Sequence, residues 1–213
     1  MTDHTAIWLE TRFLSLVRNN RELFSKVNIQ ISPGTIFQIK GSNGTGKTSL
    51  LRLLAGVSRL GYTGQLLHRG EAIEKRRTEF NEQLLYIGHR AAVKSSLTAS
   101  ENLRWHQTLG GEVNGDIDEA LFRVGLYGYE DLLCGNLSAG QQRRVALARL
   151  YLTAAKLWIL DEPFTAIDQQ GVAELETLFV SHARNGGMLI LATHQTVNID
   201  YPVQTLMLGG PCI

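Results

Sequence analysis

A chain of 213 residues is long enough for one sizeable core, and 21 Lys plus Arg against 20 Asp plus Glu leave no long-range field to recruit nucleic acid or acidic lipid. No window reaches the roughly 18 uncharged apolar residues of a spanning helix, and Met1-Thr2-Asp3-His4 has no basic-then-apolar leader pattern. The expectation is one domain over residues 1–213, held in the cytoplasm, with two incidental reduced thiols, Cys134 and Cys212, that sit in no C-x-x-C motif.

In chain order, Ala6-Ile7-Trp8-Leu9, Phe13-Leu14-Ser15-Leu16-Val17 and Val27-Asn28-Ile29-Gln30-Ile31 are short alternating runs that suit strands of a partly antiparallel sheet. Ser32-Pro33-Gly34 punctuates the last of them, and Thr35 to Ile39 reads as a further strand. Residues 41–48 then spell Gly-Ser-Asn-Gly-Thr-Gly-Lys-Thr, a complete G-x-x-x-x-G-K-S/T phosphate-binding loop, and Ser49 to Ala55 looks helical. Gly41, Gly44 and Gly46 allow backbone conformations that a side chain would forbid, so N–H groups from Gly41 through Ser42, Asn43, Gly44, Thr45 and Gly46 into Ser49 can converge on one anion. The following helix points its positive end at the same place. Lys47 supplies a mobile charge for the outer phosphates, and the Thr48 hydroxyl can complete the shell of Mg²⁺, so the expected ligand is ATP with Mg²⁺.

Gly61-Tyr62-Thr63-Gly64 marks a turn, and Glu74-Lys75-Arg76-Arg77 reads as a solvated face whose charge is nearly cancelled by Glu71, Glu74 and Glu79. From about 95 to 155 the pattern is helical, with Thr98 and Glu101, and Ser138 and Gln141, each fitting a capping box. Leu157 to Leu160 and Met188 to Ala192 are apolar runs too short for helices, and between them Val172, Leu175, Leu178, Phe179 and Ala183 recur at helical spacing. Strand, helix, strand implies a parallel crossover. The predicted fold is an α/β P-loop NTPase core with an N-terminal antiparallel β subdomain and a helical insertion over about 90–155.

Asp161 and Glu162 close the run Leu157 to Leu160, which delivers two carboxylates at the C-terminal end of a buried strand, where ligands sit in open α/β sheets. Asp161 is placed to hold Mg²⁺ and Glu162 to orient and polarise an attacking water as general base. Ser138, Ala139, Gly140 and Gln141 open a second helix with a hydroxyl and free N–H groups, a second anion-binding end. One subunit does not need two. A head-to-tail homodimer, in which this end meets the nucleotide held by the other subunit's phosphate loop, accounts for both.

These residues resemble the ATP-binding-cassette ATPases, whose motifs are the phosphate loop, L-S-G-G-Q, an apolar strand ending in Asp-Glu, a D-loop and a switch histidine. The resemblance covers nearly the whole chain. It implies that Thr165-Ala166-Ile167-Asp168 is a D-loop that brings Asp168 to the dimer interface, and that His194 senses the γ-phosphate, joining Glu162 and Lys47 as catalytic residues. A small-molecule kinase or GTPase would share only the phosphate loop, and DNA- or ribosome-directed cassette proteins usually need coiled coils or tandem cassettes.

Leu137 to Arg144, Leu157 to Asp168 and Tyr86-Ile87-Gly88-His89 are most similar to the ATP-binding subunits of the haem exporter in bacterial cytochrome c maturation. That likeness implies an ATP-hydrolysing subunit at the cytoplasmic face of the inner membrane, contacting it only through integral membrane subunits and energising haem export or release of a haem-loaded chaperone. An exporter ATPase with another cargo is the alternative. Docking is expected through residues 90 to 135, with Arg90, Trp105 and Tyr127 as anchors. Two positions depart from the general pattern. His89 stands where relatives carry a glutamine that reaches toward Mg²⁺, leaving open a magnesium-side or a purely structural role. No aromatic occurs between Phe13 and Phe24 to stack on adenine, and Arg18 could stack its guanidinium there instead.

Overall fold

The computed structural model describes residues 7–58, 61–110 and 115–209, without the side chains of 109 and 110. Strands β1 (Leu9–Arg18) and β2 (Arg21–Ile31) form an antiparallel hairpin. Asn19 and Asn20 turn it with φ of 52° and 56°, a left-handed pair that asparagine tolerates better than most residues. Strand β3 (Ile36–Lys40) runs into the phosphate loop and helix α1 (Lys47–Leu54), which starts before the predicted Ser49. After it come β4 (Tyr62–His68) and the two-residue β5 (Glu71–Ala72), completing a sheet of order β2-β1-β4-β5. The charged segment that follows forms a surface network, Arg76 bonding Glu71 and Glu79 at 3.0 and 3.2 Å; exposed pairs of this kind add little stability.

Helix α2 (Arg77–Glu82) leads to β6 (Leu84–Ile87), and helices α3 (Ala99–Gly110), α4 (Ile117–Arg123) and α5 (Ala139–Ala148) then intervene before β7 (Leu157–Asp161). Both expected capping boxes form. Glu101 N donates to Thr98 Oγ1 at 3.1 Å while Thr98 N donates to Glu101 Oε2 at 2.8 Å, and Ser138 and Gln141 reciprocate at 3.2 and 2.9 Å. Helix α6 (Gln169–Arg184), β8 (Met188–Ala192) and β9 (Val203–Met207) finish the described chain, and the second sheet is parallel throughout in the order β6-β7-β8-β3-β9.

The central strands are apolar on both faces because both are covered. Leu157 and Ile159 of β7 turn toward α1 and the antiparallel sheet, packing with Leu9, Phe24, Ile39, Leu50 and Leu54. Trp158 and Leu160, one residue out of phase, turn the other way onto Leu175, Phe179 and Ala183 of α6 and Ala146 and Leu147 of α5. Helices α3 and α4 have a small core of their own, Leu103, Ala120, Leu121 and Cys134, to which α5 contributes Val145 and Ala148. Cys134 is a buried free thiol, whereas Cys212 and the expected strand residue Ala6 lie outside the described residues. Helix α5 therefore belongs to two cores. No helix among the described residues is long and apolar enough to cross a membrane.

Candidate functional site

Parallel register aligns the strand ends. Ala192 of β8 lies opposite Ile39 of β3 on one side and Asp161 of β7 on the other, and Leu160 of β7 lies opposite Ile87 of β6. The residues that follow, Gly41, Glu162, His194 and His89, thus emerge from one edge of the sheet, the carboxyl edge at which open α/β folds bind ligands. Residues from four separate stretches of sequence are brought together by strand pairing alone.

At the first of these ends Gly46 caps α1 with φ 94° and without a side-chain hydrogen bond, so the helix's leading N–H groups stay available. Gly41 is required by space as well as conformation. A Cβ there would sit 2.6 Å from Leu208 O and 2.8 Å from Thr45 Oγ1. Lys47 is buried, its ammonium donating to the Gly41 and Ser42 carbonyls at 2.8 and 3.1 Å. Its charge is thereby parked on the loop it is expected to serve. Ser42, Asn43, Gly44 and Thr48 are exposed, with Thr45 and Ser49 half-buried.

Asp161 is 1 % exposed and its Oδ2 has no hydrogen-bond partner. Burial first, and then the Asp161 carboxylate nearby, pushes the Tyr86 phenol up from its ordinary value. Glu162 sits at φ 50°, a left-handed conformation unusual for a residue with a side chain, and its N–H donates to Ala192 O at 2.8 Å. His194 Nδ1 lies 3.0 Å from Glu162 Oε1, within ion-pair distance but outside hydrogen-bond alignment, so that oxygen keeps its accepting capacity. Glu162 is inside and His194 outside, at 11 % and 58 % side-chain exposure. A buried carboxylate with a free lone pair, gated by an exposed imidazole, suits a base for water.

The second helix end is more engaged. Ser138 and Gln141 cap each other, Ala139 is exposed, and Gly140 lets α5 approach the Ala166 segment, since a Cβ there would lie 3.2 Å from Ala166 O. Asp168 is tied down twice within its own chain. Its Oδ1 accepts from Gly171 N at 2.8 Å as the cap of α6, and its Oδ2 accepts from Arg144 at 2.8 Å; the Gly171 amide first, and the Arg144 guanidinium second, hold its carboxyl below the usual range. His89 is exposed just beyond β6. Arg18 is exposed opposite Arg21 at the hairpin end, and Leu23 and Phe24 of the same hairpin abut Gly46, where a Cβ would meet them at 3.1 and 3.3 Å. The hairpin flanks the phosphate loop.

Arg143 and Arg144 belong to the stretch that carries the resemblance but had no site role predicted for them. The first is buried and donates to carbonyls at two strand ends, and the second joins α5 to Asp168. A signal existed: Arg143 shares helical spacing with Ala146, Leu147 and Leu150, placing an arginine on an apolar stripe.

Comparison with known proteins agrees with this geometry. A family model described as ABC transporter matches residues 24–165. A protein of Shewanella oneidensis named Cytochrome c biogenesis ATP-binding export protein CcmA is 54 % identical over 186 residues, 87 % of this chain and 86 % of that one. A protein of the same name from Aliivibrio fischeri is 52 % identical over 195 residues, 90 % and 94 % of the two chains. Among solved structures, an ATP binding subunit of an ABC transporter superposes with a TM-score of 0.76 at 21 % identity, covering 88 % of this chain and 79 % of that one. A dimeric post-hydrolysis state of an ATP-binding cassette bound to ADP and Pi gives 0.75 at 20 % identity, covering 88 % of each. Identity that low speaks for the fold alone, but the family model and the relatives above half identity speak for descent, and this chain belongs to the ABC transporter family as one of its ATP-binding cassettes.

Proposed function

We propose that this chain is the ATP-hydrolysing subunit of an export complex in cytochrome c biogenesis, its turnover energising haem export or release of a haem-loaded chaperone, with residues 1–213 acting as one ATP-binding domain. The observation that carries the ATPase reading is the shared sheet edge, where the phosphate loop, Asp161, Glu162 and His194 emerge side by side. The cargo reading draws on the relatives named for cytochrome c biogenesis.

In this reading the open N-terminus of α1 and the loop from Gly41 to Ser49 cradle the phosphates, and Lys47 exchanges its two carbonyl partners for phosphate oxygens. Glu162 accepts a proton from water through Oε1, and His194, on the solvent side of that carboxylate, orients the terminal phosphate. Thr48 and Asp161 would hold Mg²⁺; the unpartnered, buried Oδ2 of Asp161 fits such a ligand, and among the described residues no cluster of three or more His, Cys, Asp or Glu forms a cage that would do without nucleotide and water. The ion would offset phosphate charge. Ser138 to Gln141 and Asp168 would meet the nucleotide of a second copy in a head-to-tail homodimer. Integral membrane subunits would dock against the helical region of residues 90 to 135, where Trp105 is 40 % and Tyr127 77 % exposed, holding the chain peripherally at the inner membrane.

The test is Glu162→Gln. It should keep ATP binding and accumulate ATP-bound dimers while lowering turnover roughly 10² to 10⁴-fold, the usual cost of losing a positioned base. Turnover within about twofold of the wild type would remove Glu162 from that role. Deleting the gene should stop covalent haem attachment to c-type cytochromes, with the Glu162→Gln form unable to restore it; normal cytochromes in the deletion would overturn the cargo and leave the ATPase standing.

A further inference from the structure

Helix α5 carries a cation where its apolar stripe reaches the strand ends. Arg143 is 5 % exposed, and its guanidinium donates to Gly88 O at 2.6 Å, Asp161 O at 2.6 Å and Glu162 O at 3.1 Å. Among the described residues no carboxylate oxygen lies within ion-pair distance of it, and its Nε has no partner. Burial pulls the guanidinium down from its ordinary value, opposed by the nearby charges of Asp161 and Glu162 and by Tyr86. A buried cation satisfied only by main-chain carbonyls is a costly way to seat a helix, since an apolar residue would simply continue the stripe of Ala146, Leu147 and Leu150.

What an apolar residue could not do is hold backbone. Two of the three acceptors flank the α-carbon of Glu162, the residue at φ 50°, a conformation that persists only when its surroundings over-determine it. The third acceptor, Gly88, immediately precedes His89. Guanidinium is a rigid planar fork, so one side chain can fix the relative position of two strand ends.

We propose that Arg143 is a positioning residue: it holds Glu162 in the left-handed conformation that presents its carboxylate at the sheet edge, and it couples that conformation to the Gly88-His89 segment. A shift of that segment is then passed to the general base through one guanidinium rather than through the packing of α5. The catalytic consequence rests on the ATPase reading of Glu162; the structural coupling does not.

Arg143→Gln removes the fork, and Arg143→Lys keeps a charge on a single nitrogen that cannot span both strand ends. Both should lower kcat about 10 to 100-fold with KM for ATP within about twofold, and in a Glu162→Gln background Arg143→Gln should add no further loss. In hydrogen exchange, Arg143→Gln should lower protection of the segments around residues 86–90 and 160–164 together while thermal unfolding stays cooperative. Full kcat in Arg143→Lys, or a fall in melting temperature with kcat unchanged, would reduce Arg143 to a packing residue. Loss of protection confined to α5 would do the same. Should Arg143→Gln fail to fold, Arg143→Lys carries both measurements. A wild-type chain without turnover would sink the ATPase reading, and the exchange result would still decide on Arg143.

Discussion

Helices α1 and α5 both offer an N-terminus suited to an anion, but they treat their leading N–H groups in opposite ways. Helix α1 starts at a glycine in a left-handed conformation with no side-chain cap, whereas α5 starts at Ser138 with a complete capping box. A serine cap is worth only about a few tenths of a kcal/mol over the glycine that stands at the start of α1. Helix α1 forgoes that stabilisation and is left poised for an external oxyanion; α5 keeps it and needs no ligand to be stable. The comparison teaches that two ends of like dipole are not equivalent sites. The first is left open to an anion, and the second is already satisfied by its own side chains.

The strongest way to break that contrast is to disable each end separately. Lys47→Ala should lose nucleotide affinity and turnover together, while Ser138→Arg should abolish turnover with monomer ATP affinity nearly unchanged. Mixing the two inactive chains at high concentration should regain one working site. No recovery in the mixture would mean that α5 does not serve a partner's nucleotide.

A gentler pair sharpens the same point. Ser138→Ala and Thr98→Ala each remove one capping hydroxyl and should each cost roughly 0.5 to 2 kcal/mol in denaturant unfolding. Only Ser138→Ala should also reduce ATPase turnover. Equal turnover in the two variants would make the cap of α5 an ordinary cap.

The smallest expected effect lies within α3, away from either end. Burial first, then Arg149 and Lys94, lowers His106 from its ordinary value to about 4, and burial also lowers His68 and His182. Because the folded-state pKa is depressed, the unfolded chain takes up protons first as the pH falls from about 6.5. Stability should therefore decline on acidification between about pH 6.5 and 4, and His106→Gln should flatten part of that decline in melting temperature. An unchanged pH dependence in the variant would show that His106 is protonated equally in both states.

Legibility in the sequence followed how local each signal is. The phosphate loop, the Asp161-Glu162 pair and both capping boxes were readable because a few adjacent residues carry the whole chemistry. Strands β7 and β8 were readable because burial on both faces demands unbroken apolar runs, and β3 because Ile36, Phe37 and Ile39 lead directly into the phosphate loop. Strand β9, Val203–Met207, escaped because it lies at the sheet edge with an exposed and half-exposed sequence, and β6 was too short to stand out. Arg143 escaped because an arginine early in a helix ordinarily reads as solvated, and only the sheet beneath α5 makes it a buried fork.

The sequence by itself determined which groups exist for chemistry: three loop glycines, Lys47, Thr48, two carboxylates at a strand end, His194, and a second helix start with a hydroxyl. Each of these except His194, which the family resemblance singled out, is a property of neighbouring residues, so no long-range information was needed. The tertiary structure alone decided that β8 lies between β3 and β7, that four distant stretches share one sheet edge, that Lys47 rests on its own loop, that Asp168 is held by Arg144, and that Arg143 spans two strand ends. Strand order and register arise from pairing between segments far apart in the chain, and the sites of this protein lie at those pairings.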